Sequence, residues 1–78
     1  MCVRKGYQAL KEWTPGECSD FAGKRLGTIY LWMRKPVEDG DGVLRERFLL
    51  TARMKADCVD SASFREYVRT GEPQGRPA

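Results

Sequence analysis

Histidine is absent from the chain. The side chain that most often moves protons near neutral pH is therefore missing, and no nucleophile motif or phosphate-cradling glycine-rich loop takes its place. Asp39 and Asp41 alternate with Gly40 and Gly42, which is turn chemistry. Two aspartates so close together, without a distant bidentate glutamate, do not make an EF-hand loop. Catalysis is not expected, and neither is a cofactor or a small-molecule substrate. Cysteine is sparse as well. Cys2, Cys18 and Cys58 contain no Cys-x-x-Cys pair, and a structural zinc site needs four closely spaced Cys or His ligands, so no metal is expected. Reduced thiols are the simpler reading, with Cys18 and Cys58 serving as small core residues.

Long apolar runs are also missing: none approaches the roughly 18–20 residues that span a bilayer. Met1-Cys2-Val3-Arg4-Lys5 is not followed by a continuous apolar stretch, so no signal peptide and no membrane partner are expected, and the cytoplasm is the expected compartment. What the 78 residues do contain is enough to fold. An apolar fraction of 41%, with two Trp, three Tyr and three Phe, argues against overall disorder and for one domain with one modest core. The net charge of +3 is unevenly spread. Residues 1–35 hold seven basic and three acidic side chains, 36–42 hold three acids and no base, and 43–78 hold seven bases and five acids. An acidic spacer thus divides two mildly basic halves, and an anionic partner should touch the halves.

The clearest local signal is Thr14-Pro15-Gly16-Glu17, a capping box with proline at the first helical position. It predicts a helix from Pro15 to about Ala22, with Cys18, Phe21 and Ala22 on one face and Gly23 turning the chain. Next, Leu26, Ile29, Tyr30 and Met33 recur at helical spacing, widened by Trp32 as a core anchor. Arg25, Thr28, Leu31 and Lys35 take the opposite face with Arg34 nearby, and Pro36 stops the element. The residues Thr28 to Trp32 are also good strand formers and two Asp-Gly pairs follow, so a hairpin rivals the helix over 28–35. From Leu44 the period becomes two. Phe48, Leu50, Ala52 and Met54 point one way, and Arg45, Arg47, Thr51, Arg53 and Lys55 the other, which predicts one long half-buried strand with a cationic side. Lys55-Ala56-Asp57 can turn into a short return strand at Cys58-Val59. Asp60 or Ser61 then caps a last helix with Phe64, Tyr67 and Val68 buried, ended by Gly71. Residues 72–78 should fray into a disordered tail. Residues 1–13 are less legible, and Tyr7, Leu10 and Trp13 suit either an opening helix or a draped segment.

The run from Thr14 to Arg34, with its capped first helix, Gly23 and Thr28-Ile29-Tyr30-Leu31-Trp32, resembles the helix-turn-helix of excisionase-like winged-helix proteins, relatives of the MerR fold. Arg53-Met54-Lys55 and Asp60-Ser61-Ala62-Ser63-Phe64 look like the wing and the capped helix that follow in that family. The residue before the tryptophan is often basic there and is Leu31 here. The resemblance implies an α+β winged helix-turn-helix over residues 14–71 that binds double-stranded DNA. It implies a small accessory protein of a mobile element or phage, acting in DNA recombination as a directionality factor or in transcription regulation as a repressor. An integrase or a second copy of the chain would be its protein partner. The implied contacts are Lys24, Arg25, Thr28, Tyr30, Leu31, Arg34 and Lys35 from the turn and second helix, with Arg47, Arg53 and Lys55 from the wing. A different class of function stays open: a small phage-type inhibitor that binds a host or defence protein through exposed aromatics and arginines.

Overall fold

A computed structural model of the chain describes residues 10–53 and 56–78, with the backbone alone for 52, 53 and 56. The expectations for Cys2, Tyr7, Met54 and Lys55 lie outside the described residues, as does the side chain of Arg53. The order is β1 (Glu12–Trp13), α1 (Pro15–Ala22), α2 (Leu26–Arg34), β2 (Val37–Glu38), β3 (Leu44–Arg45), β4 (Leu50–Arg53), β5 (Ala56–Asp60) and α3 (Ser61–Thr70). This is a small α+β fold in which β1, β5 and β4 form one antiparallel sheet, in that spatial order, and β2 and β3 form another. No helix among the described residues is long and apolar enough to cross a membrane.

The capping box forms as its residues dictate. The Glu17 amide donates to Thr14 Oγ1 at 3.2 Å, and the Thr14 amide donates to Glu17 Oε1 at 2.9 Å. Gly23 closes α1 in the left-handed region at φ 67°, donating to the Ser19 carbonyl. Only Gly23, Lys24 and Arg25 separate α1 from α2, so the two helices pack against each other. The 28–35 segment is helical through Arg34, with Lys35 as its C-terminal cap. At the other end of the chain Asp60 is the cap of α3, its carboxylate accepting from the Ser63 amide.

The core gathers Trp13, Cys18, Ile29, Phe48, Val59 and Phe64, with Phe21, Ala22, Trp32, Met33 and Tyr67 packed around it. Phe64 is the hub, its ring centroid 4.9 Å from Phe48, 6.0 Å from Trp13, 6.3 Å from Phe21 and 6.4 Å from Trp32. The fully buried indole is therefore Trp13, held in β1 by pairing with Val59, whereas Trp32 is half-buried. Burial pushes the Cys18 thiol up to about 12, helped by Glu17 and Cys58 nearby, so it remains a protonated core group.

Several expectations are corrected. The buried stripe of α2 is Ile29, Trp32 and Met33, while Leu26 and Tyr30 are exposed. Trp32 packs on Phe64 and Tyr67 of α3, and that contact rolls the helix so that the Leu26–Tyr30 side turns outward. The long strand is broken at 46–49. There the Leu49 amide donates to Ser63 Oγ and its carbonyl accepts from the Asp60 amide, which bends the chain around the start of α3. The break drives Phe48 into the core and leaves Leu50 exposed on β4, at the sheet edge. Val68 is exposed because α3 presents Phe64 and Tyr67 to the core. Where a frayed tail is expected, the chain instead runs back along β3. Gln74 and Gly75 donate to the carbonyls of Arg47 and Glu46, Glu46 donates to Arg76, and Ala78 donates to Leu44. Gly75 makes this approach possible, since a Cβ there would lie 2.6 Å from the Glu46 carbonyl oxygen. The expected return strand is also longer, opening at Ala56 instead of Cys58.

Candidate functional site

The sequence-derived site residues of the turn and second helix lie on or beside the outward side of α2. With about 100° of rotation per residue, Gly27, Leu31 and Arg34 fall opposite Ile29, and Tyr30 lies on the flank between Arg34 and the core. Tyr30 is 49% exposed and Leu31 39% exposed. Lys24 and Arg25 stand exposed before the helix, and Arg34 and Lys35 stand exposed at its end. Thr28 is half-buried on the other flank. Four cations therefore bracket a nine-residue helix, and the sequence holds no acid between Asp20 and Glu38. Arg25, Arg34 and the ammonium groups of Lys24 and Lys35 enter no ion pair among the described residues. In contrast to α1 and α3, α2 has no side-chain cap at its N-terminus.

Beside this face lies an open cleft of about 410 Å³ lined by Pro15, Tyr30, Met33, Arg34, Leu50 and Asp57. It separates the start of α1 and the flank of α2 from the β4–β5 hairpin. Paired positions share a sheet face, so the register Leu50↔Val59 and Ala52↔Asp57 puts Leu50 and Asp57 on the same side. Sequence reasoning misses both. Leu50 reads as core because it alternates with Phe48, and Asp57 reads as turn because it follows Lys55-Ala56. The one available signal is Leu49, the odd apolar residue on the basic side, which marks the break in alternation.

Arg47 does not join this surface. It lies between β3 and β4, its Nε donating to the Tyr67 hydroxyl at 2.9 Å and its Nη1 to the Lys35 carbonyl at 2.6 Å. Its guanidinium also sits 5.9 Å from the centre of the Trp32 ring. Arg47 ties the end of α2 to α3, and a contact from it to a partner on the α2 face would require breaking those bonds. The β4–β5 hairpin borders the same cleft as α2 through Leu50 and Asp57.

The acidic spacer is folded on itself. Asp39 accepts from the amides of Asp41 and Val43 and from Arg45 Nε at 2.6 Å. Arg45 first, then those amides, holds its carboxyl below the ordinary carboxylate range. Its charge is thus used inside the β2–β3 hairpin. Among the described residues no group of three or more acidic or sulfur ligands is placed to hold a metal ion. No family model, no curated protein and no solved structure matches the chain.

Proposed function

We propose that the chain binds double-stranded DNA as a winged helix-turn-helix, with α2 in the major groove and the β4–β5 hairpin as the wing. The observation that carries this reading is the outward face of α2, free of acids and bracketed by Lys24, Arg25, Arg34 and Lys35. At 1.5 Å per residue a nine-residue helix is about 13 Å long, which suits a major groove about 12 Å wide. The short α1–α2 connection, and the packing of α2 on the core through Ile29, Trp32 and Met33, leave the opposite side of the helix uncovered by the described residues. Arg25 and Lys24 beside the uncapped α2 amides suit phosphates, as does the Tyr30 hydroxyl, and Thr28 and Arg34 offer donors to base edges. The biological role that fits is a small accessory protein of a mobile element, acting beside an integrase or as a repressor.

Titration of a fluorescent duplex at two salt concentrations tests this. Binding should weaken steeply with salt, and removing one phosphate contact with Lys35→Ala should lower the slope of log affinity against log salt by about one. Undetectable affinity at low salt would sink the proposal.

A second reading has its own observation. Leu26, Tyr30, Leu31 and Leu50 are all exposed around the same helix and cleft. Exposed apolar and aromatic groups beside arginine are the composition of a protein-binding hot spot, which fits an inhibitor of a host or defence protein. Affinity for that protein that is insensitive to salt, with none for DNA, would favour it.

A further inference from the structure

We infer that α2 recognises thymine through its 5-methyl group, with Leu31 as the contacting side chain; the inference rests on the DNA-binding reading above. Leu31 is 39% exposed and lies opposite Ile29, which is fully buried. It belongs neither to the core cluster nor to the residues packed against it, so its apolar surface has no role within the described fold. Charge complementarity commits the face to a polyanion, because the cations flank Leu31 on both sides along the helix, the segment between Asp20 and Glu38 carries no acid, and Asp57 across the cleft is the one acid beside them among the described lining residues. Among the groups that base pairs expose in the major groove, all but one are hydrogen-bond donors or acceptors. The exception is the thymine methyl. A leucine pressed on any of those donors or acceptors would desolvate a polar group without replacing its hydrogen bond, and the bare C5–H of cytosine offers less apolar surface than the methyl.

Gly27 supports the same assignment independently. It lies one turn before Leu31 on the same face, at a φ open to any residue, and an added Cβ would meet nothing within 4 Å. Nothing among the described residues requires glycine there, and glycine is the poorest ordinary helix former. A closely approaching partner accounts for it, because the missing side chain lets the helix backbone sit deeper in the groove and brings Leu31 to the base edges. Arg34, at the next position of the face, then falls within reach of a neighbouring base pair, where its fork suits guanine O6 and N7.

The test begins with selection of tight-binding duplexes from a randomised pool, followed by resynthesis with deoxyuridine replacing each thymine in turn. Uracil keeps every hydrogen-bonding group and lacks only the methyl. At one thymine position the substitution should weaken binding by the wild-type protein about three- to tenfold, the scale of one buried methyl group. Leu31→Ala should bind the thymine and uracil duplexes alike. Gly27→Ala should lower affinity while leaving the unfolding midpoint unchanged or raised. If the wild type binds every uracil duplex as tightly as its thymine parent, or if Leu31→Ala keeps the penalty, the inference fails while DNA binding stands. If the pool yields nothing bound above random sequence, the DNA reading fails and the inference with it.

Discussion

Arg47 shows how one side chain can serve the interior while looking like a surface charge. Its guanidinium donates to the carbonyl of Lys35, the residue after α2, and to the Tyr67 hydroxyl, and it lies near the Trp32 ring. Removing it leaves the partly buried Tyr67 hydroxyl without this partner and gives the exposed Lys35 carbonyl to water, so Arg47→Ala should destabilise the fold by about 1–3 kcal/mol in urea unfolding. A change indistinguishable from zero would show that the arginine is solvated surface. The two tryptophans should also separate. Trp13 is wholly buried among Phe21, Phe64 and Val59, and Trp13→Ala should cost about 3–5 kcal/mol. Trp32, half-buried beneath Arg47, should cost clearly less on the same substitution, and equal losses would contradict the packing described. Cys18, buried and with its thiol held protonated, should resist alkylation in the native protein and react once urea unfolds it, as mass spectrometry would read.

Among the elements, those stabilised locally are legible in the sequence. Thr14, Pro15 and Glu17 specify α1 within one turn, Gly23 ends it, and Asp60 opens α3, because caps are made by neighbours in sequence. Whatever depends on contacts between distant segments is not legible there. The roll of α2 is set by Phe64 and Tyr67, more than thirty residues on, so periodicity yields the helix but puts Tyr30 in the wrong environment. The interruption at 46–49 is set by Ser63 and Asp60, and the return of the tail by backbone bonds to Leu44, Glu46 and Arg47 that any residue could make. Only Gly75 carries a sequence mark, and its meaning depends on Glu46 lying against it. Gly75→Ala should therefore displace the tail, exposing the Glu46 and Ala78 amides to faster hydrogen exchange while those inside α1 keep their protection. Unchanged exchange at Glu46 would contradict the close approach. The β2–β3 hairpin has a pH limit of its own. Asp39 has its folded pKa lowered by Arg45 and two amides, so its stabilising contribution is complete above its ordinary value of 3.8 and is lost as pH falls below it. The Val43 amide resonance should be constant near neutrality and move only in that acid range.

For the whole molecule, charge and shape divide the surface into unlike sides. The Asp39 loop uses its acid internally, the tail covers one edge of β3, and the α2 face combines its bracketing cations with exposed Tyr30 and Leu31. The candidates in the turn and second helix share one surface because they flank one short helix, and that proximity is plain in the sequence. Leu50 and Asp57 give no such sign, since only the pairing of β4 with β5 brings them to the same cleft. Asp57 is the one acid among its described lining residues, and under the proposed DNA binding it would oppose a phosphate backbone passing between α2 and the hairpin. Asp57→Asn should accordingly tighten binding to all duplexes together, with little change in preference among them. The most direct measurement of the central claim is amide chemical-shift mapping of the folded protein titrated with duplex DNA. The account predicts that the largest perturbations fall between Lys24 and Lys35 and on the β4–β5 hairpin, with the β2–β3 hairpin and the tail nearly silent. Perturbations centred on the β2–β3 hairpin or the tail, or none at all at saturating duplex, would contradict it.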